Sequence, residues 1–127
     1  MMIFIEARTL SQADFDHFAA LSGDRNPIHV DPEFAAHTQF GGTVSHGMLL
    51  YGLIVSSLGR FLPGAVQREQ TLMFPTGTLA GERVQIRLEV LERNDRAARL
   101  DTLVLRDNGE IACQGEMVVE LSAGGRR

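Results

Sequence analysis

From Met48 to Leu58 the chain carries no charge and few polar groups, and glycines bracket the stretch at Gly47 and Gly59. Spanning a bilayer takes about 20 apolar residues, so this segment is too short for a membrane. It is also apolar nearly all round, so it reads as a helix enclosed by the rest of the protein, with Gly59 as its natural stop. What encloses it is legible downstream. Val84, Ile86, Leu88 and Val90 alternate with Gln85, Arg87 and Glu89, and Ile111, Cys113, Gly115, Met117, Val119 and Leu121 repeat the pattern. A period of two belongs to strands with one buried face. A buried helix followed by an antiparallel meander predicts an α+β domain, its sheet curled around a long central helix. At 127 residues this is one domain, expected over 1–122 with 123–127 as a frayed tail.

The remaining punctuation fills in the chain. Met2 to Arg8 reads as a first strand. Ser11, with Asp14 three residues on, marks a helix start, and Phe15, Phe18, Ala19 and Ser22 then share one face. Gly23 ends that helix in the left-handed conformation. Pro27 disfavours helical geometry at Asn26, so Asp24 to Val30 leaves the helix as a loop. Asp31-Pro32 opens a second short helix, with Phe34 and Ala35 expected to pack inward. Gly41-Gly42 is a tight bend and Pro63-Gly64 a turn. Val66 to Phe74 reads as a strand closed by Pro75, and Ala98 to Arg106 as another after a turn at Asn94-Asp95. Asp107-Asn108-Gly109 is a hairpin signal. A small open sheet leaves edges exposed, and pairing them across a two-fold axis makes a homodimer the physical expectation.

Composition excludes more than it identifies. A net charge of −4 offers no basic footprint for nucleic acid. One cysteine excludes an internal disulfide framework and fits a reducing compartment. The N-terminus reaches Glu6 too soon for a signal peptide. The expected location is cytoplasmic, with no membrane partner.

Chemistry concentrates before the apolar segment. Asp24, Asn26 and His29 lie on a proline-stiffened stretch, close enough to converge on one small molecule or one water. A carboxylate accepts, an imidazole accepts or donates, and an amide does both. The same residues are also turn formers, and satisfying loop backbone groups is the simpler role for them. Gly47 heads the central helix, where unpaired N–H groups and the positive dipole end face any incoming oxyanion. It too has a simpler role, as a glycine kept for packing. Between Glu33 and Glu69 there is no Asp or Glu, so an acid or base must come from the preceding loop. The four histidines form no HxxxH pair and have no Cys partner, so no metal site is expected. Cys113 reads as core, His17 as helix surface, His37 as solvated, and His46 as orienting the helix start.

Ser22-Gly23-Asp24-Arg25-Asn26-Pro27-Ile28-His29, continued by Val30-Asp31-Pro32-Glu33-Phe34-Ala35, resembles the Gly-Asp-x-Asn-Pro-hydrophobic-His motif of the R-specific enoyl-CoA hydratases of the MaoC-like dehydratase family. His46-Gly47-Met48 matches that family's second motif. The resemblance implies a hot dog fold and a homodimer with active sites near its interface. It also implies hydration of a trans-2-enoyl thioester of CoA or of an acyl carrier protein to the (R)-3-hydroxyacyl product, or the reverse. No cofactor is implied beyond the CoA of the substrate. Carried over by position, Asp24 and His29 are the catalytic pair, Asn26 helps hold the water and the Gly47 N–H binds the thioester carbonyl. Either of the pair can deliver the proton to the α-carbon. Ser45, His46, Met48 and Tyr51 are the expected substrate contacts, with Tyr51 shortening the acyl channel. Around Leu72-Met73-Phe74-Pro75-Thr76-Gly77-Thr78 the chain departs from the family, where a basic residue commonly precedes the Phe and Val or Leu follows the Pro. The competing readings are a hot dog thioesterase, which commonly uses a carboxylate on or near the central helix, and a non-catalytic acyl-thioester-binding subunit.

Overall fold

A computed structural model describes residues 2–121, so the predicted tail at 123–127 lies outside the described residues. The elements in chain order are β1 (Ile3–Thr9), α1 (Gln12–Ser22), α2 (Pro27–Val30), α3 (Pro32–Ala36), α4 (Gly47–Phe61), β2 (Val66–Gln70), β3 (Arg83–Arg93), β4 (Ala97–Arg106) and β5 (Ile111–Glu120). All strand pairs are antiparallel, in the order β1-β3-β4-β5-β2. Register shifts at Gln67/Glu69, Val90/Glu92 and Val104/Leu105 interrupt the ladders. Such irregularities bend and twist a sheet, which lets it curl around one helix.

The predicted alternation holds over 84–88 of β3 and in most of β5, and β4 alternates in the same way. Val84, Ile86 and Leu88 of β3, Ala98, Leu100, Thr102 and Val104 of β4, and Cys113, Met117 and Val119 of β5 are all buried. Paired across the strands, Ile86, Val104 and Cys113 form one row of the concave face. Leu50, Leu53, Ile54 and Leu58 of α4 complete that core. Each such side chain contributes about 1.5–3 kcal/mol by leaving water. Cys113 is a core residue, and burial pushes its thiol pKa up to about 11. A second tie fastens α4 to the sheet edge. Glu6 of β1 accepts from the buried Ser57 hydroxyl at 2.7 Å and from Arg60 Nε at 3.0 Å.

Several expectations are corrected. α4 runs through Gly59 to Phe61, because Leu62 still donates to the Leu58 carbonyl and the stop comes only at Pro63-Gly64, with Gly64 at φ 83°. The helix is not enclosed all round, either. Met48, Gly52, Val55 and Gly59 form an exposed stripe, since a single sheet covers only one side. Phe34 is 50 % exposed while Ala35 beside it is buried. Ser22 is exposed, its hydroxyl turned to the Asp24 N–H. β2 ends at Gln70 and returns only as a bridge between Met73 and Gln114. The stretch read as a loop also folds one turn of helix, α2, because Pro27 suits the first helical position. No helix among the described residues is long and apolar enough to cross a membrane.

The crossing of 71–73 over β5 requires glycine at 115, where a Cβ would lie 1.8 Å from the Thr71 carbonyl oxygen. Gly115→Ala therefore forces two backbones apart and is expected to cost about 2–3 kcal/mol in urea unfolding; a loss under about 0.5 kcal/mol would contradict the packing described. The Arg60 guanidinium holds the Glu6 carboxyl below the usual carboxylate range, against a smaller opposing effect of burial, and the Ser57 hydroxyl lowers it a little further. A lowered folded-state pKa gives stability that is present above the unfolded value of 4.5 and lost as pH falls through the lower folded value. Melting temperature should thus fall less steeply below pH 4.5 in Glu6→Gln than in the parent, and equal slopes would refute the linkage.

Candidate active site

Helix ends position the acid–base loop. Ser11 and Asp14 cap the start of α1 reciprocally, and Gly23, at φ 81°, closes it by donating to the Ala19 carbonyl. Asp24 Oδ1 then accepts from the Asn26 N–H at 3.2 Å, and Asn26 Oδ1 accepts from the Ile28 N–H at 3.1 Å. These bonds make Asn26 the N-cap of α2 and bring His29 round beside Asp24. The Asn26 side-chain carbonyl is thereby committed to the backbone, while its NH2 makes no hydrogen bond among the described residues.

His29 is held on two sides. Its Nδ1 lies 2.8 Å from the Val44 carbonyl. A carbonyl only accepts, so Nδ1 carries a proton, and in the neutral imidazole Nε2 then presents a lone pair. That Nε2 lies 3.8 Å from Asp24 Oδ2, with the imidazole 14 % and the carboxylate 54 % exposed. The two are too far apart to hydrogen-bond, yet one oxygen atom can sit about 2.8 Å from both. On the other side the His29 ring stacks on His46, with centroids 3.9 Å apart and planes inclined 25°. Asp24, His29 and His46 gather within 4.8 Å, a composition a cation can use. Stacked rings, however, direct their in-plane lone pairs side by side rather than to a point. His29 Nδ1 and His46 Nε2 are also both taken up by main-chain carbonyls. The arrangement suits proton transfer rather than ligation.

The start of α4 adjoins this cluster. α1, α2 and α3 each have a side-chain cap, from Ser11, Asn26 and Asp31, whereas α4 has none. Its first N–H groups therefore keep their donor capacity at the positive end of the helix. The Phe74 ring lies against Gly47, so close that a Cβ there would sit 2.9 Å from Cζ. A cavity of about 350 Å³ opens at this point, lined by Ser45, Gly47, Leu50, Phe74 and Thr78 among others. Larger cavities lie beside Thr71–Met73 and beside Arg68 and Arg96, and Asp24, Asn26 and His29 line neither these nor the cavity at Gly47. Of the expected substrate contacts, Ser45 lines the cavity with Gly47. His46, Met48 and Tyr51 do not: His46 is buried in the stack, Met48 is on the exposed stripe, and the Tyr51 hydroxyl donates to Gln67 Oε1 of β2. His17 and His37 are exposed, as expected.

Two supports escape sequence reasoning. Gln12 donates from Nε2 to the His29 carbonyl at 2.9 Å and accepts from the Thr43 hydroxyl at 2.6 Å, tying α1 to both sides of the site. Val44 acts through its main chain alone. Neither carries a local signal, because both act across the fold.

The family described as "MaoC like domain" matches residues 2–109. The chain is 39 % identical to the (R)-specific enoyl-CoA hydratase of Aeromonas caviae over 91 % of this chain and 89 % of that protein. It is also 39 % identical to the 3-hydroxybutyryl-CoA dehydratase of Methylorubrum extorquens, over 90 % of this chain and 74 % of that one. The solved A. caviae (R)-hydratase superposes with a TM-score of 0.90 at 38 % identity, covering 95 % of each chain. The helix wrapped by its antiparallel sheet is thus the hot dog fold expected from the sequence. On both sequence and structure, the chain belongs to the MaoC-like domain family.

Proposed function

We propose that the protein is an R-specific enoyl-CoA hydratase, adding water to a trans-2-enoyl-CoA to give the (R)-3-hydroxyacyl-CoA and catalysing the reverse dehydration. The observation that carries this is the pair of acceptors 3.8 Å apart, His29 Nε2 and Asp24 Oδ2, beside the uncapped start of α4. Both acceptors take protons, so a water between them donates both of its own and turns its lone pairs outward to the β-carbon. The Asn26 NH2, free of other bonds, assists in holding it. As the water adds, negative charge moves to the thioester oxygen, where the Gly47 N–H receives it. One such donor contributes about 3 kcal/mol to the transition state. The proton taken by the pair then passes to the α-carbon, and the dyad returns to its starting state. The names of the two relatives, a hydratase and a dehydratase, describe opposite directions of this one equilibrium.

The active form is a homodimer in this reading. α4 exposes Met48 and Val55, and Val66 on the free edge strand β2 is also exposed, giving an apolar stripe beside unpaired backbone groups. A second copy related by a two-fold axis covers both at once.

Asp24→Asn and His29→Ala should each lower the rate of crotonyl-CoA hydration by about 10²–10⁴-fold while the proteins remain folded. Near-parental rates in both variants would sink the proposal, and thiol release from a saturated acyl-CoA would point to a thioesterase instead. Light scattering should give twice the chain mass for the parent, with Val55→Lys shifting it to monomer; a monomeric parent would remove the dimer.

A further inference from the structure

Resting on the hydratase reading, we infer that His46 is the positioning residue of the site. It touches neither water nor substrate, but holds Asp24 and His29 in register with the start of α4. Its ring bonds to one member of the pair and stacks on the other, and it directly precedes Gly47. Its Nε2 lies 2.9 Å from the Asp24 main-chain carbonyl. That carbonyl only accepts, so Nε2 carries the proton and Nδ1 is a bare lone pair. Nδ1 is buried and has no hydrogen-bond partner among the described residues. A buried acceptor without a donor is unfavourable, and an apolar side chain filling the same space would avoid it. The imidazole is therefore explained by its donor and its ring face together, not by packing alone.

Asp24 needs such a tie. Its carboxylate is half exposed, and its other hydrogen bonds run only to near neighbours, Ser22 at the end of α1 and Asn26 in the same loop. The only long-range hydrogen bond to Asp24 among the described residues comes from His46. His29 needs a second restraint as well, since the Val44 carbonyl fixes one atom of the ring but not its tilt. The His46 face, 3.9 Å away, supplies it. Phe18 packs edge-on against His46 at 4.8 Å and closes the stack from the α1 side. A misplacement near 1 Å can cost about a hundredfold in rate, so a residue that never meets the substrate can still govern turnover.

Two substitutions divide the contacts. His46→Phe keeps a ring against His29 and loses the donor, whereas His46→Gln keeps an N–H near the position of Nε2 and loses the ring. In the folded His46→Phe protein, kcat for crotonyl-CoA should fall about a hundredfold with KM within about twofold. His46→Gln should recover part of that loss and stay below the parent, because it restores the donor to Asp24 but not the ring face against His29. Parental kcat in His46→Phe, or a raised KM with unchanged kcat in both variants, would overturn the inference. Amide exchange at Ile28, His29 and Val44 gives a readout that needs no turnover. It should be faster than parental at Ile28 in His46→Phe, which loses the tie to the Asp24 carbonyl, and at His29 and Val44 in His46→Gln, which loses the stack; parental exchange at all three in both variants would overturn the positioning role. A parent protein inert toward every enoyl-CoA would sink the hydratase reading by itself, leaving the exchange comparison to decide for His46.

Discussion

The burial of Leu50, Leu53, Ile54 and Leu58 against the concave face of the sheet determines where α4 begins. The helix cannot slide along the sheet without returning some of those side chains to water, at about 1.5–3 kcal/mol each. Its first residue is therefore a fixed point, and residues 43–45 leading into it bond to both sides. Toward the acid–base loop, Val44 donates to the Ile28 carbonyl at 3.1 Å and its own carbonyl meets His29 at 2.8 Å. Toward the other side, Ser45 donates to the Thr78 carbonyl at 2.8 Å and the Ala80 N–H bonds to the Thr43 carbonyl at 3.2 Å. An exposed loop thus acquires the precision of the core by hanging from main-chain bonds at the helix start.

That dependence explains what the sequence could and could not reveal. Asp24, Asn26 and His29 were legible because they are neighbours in the chain and share one proline-stiffened turn. So were the strands β3 and β5, whose period of two is local, and the capping pair at Ser11 and Asp14. The partners that orient the site are not local. The Val44 and Asp24 carbonyls belong to the main chain, which every residue has, so no residue type marks them. Gln12 lies 17 positions from the carbonyl it serves and reads as an ordinary helix-surface residue. His46 was legible as a feature of the helix start, but its stack on His29 was not.

The misread features of α4 share a cause. Its length was underestimated because Gly59 resembles a stop, yet a glycine inside a helix costs only about 1 kcal/mol against alanine, and packing on both flanks outweighs that. Its enclosure was overestimated because an apolar sequence says that a face wants cover, not what provides it. The segment at 72–78, where the chain departs from its family's pattern, shows the same limit. Phe74 is 43 % exposed and yet lies directly against Gly47. Its place follows from the crossing over Gly115, which brings the 71–73 backbone across β5 and returns the chain to the helix start.

The uncapped start of α4 has a physical meaning of its own. A side-chain cap is worth about 1 kcal/mol, and α1, α2 and α3 all have one. Ser45 is a residue type able to cap and stands one position too early; its hydroxyl turns instead to the His46 carbonyl at 2.9 Å. The N-cap position itself holds a histidine whose donor points away from the helix, to Asp24. Stability that the other three helices secure for themselves is thus left unclaimed at the start of α4. Filling those N–H groups from within would satisfy the backbone and close the position to a substrate oxygen. A fold that leaves them open on its most buried helix, and holds the loop opposite by carbonyls, keeps its donor capacity for something that arrives from outside.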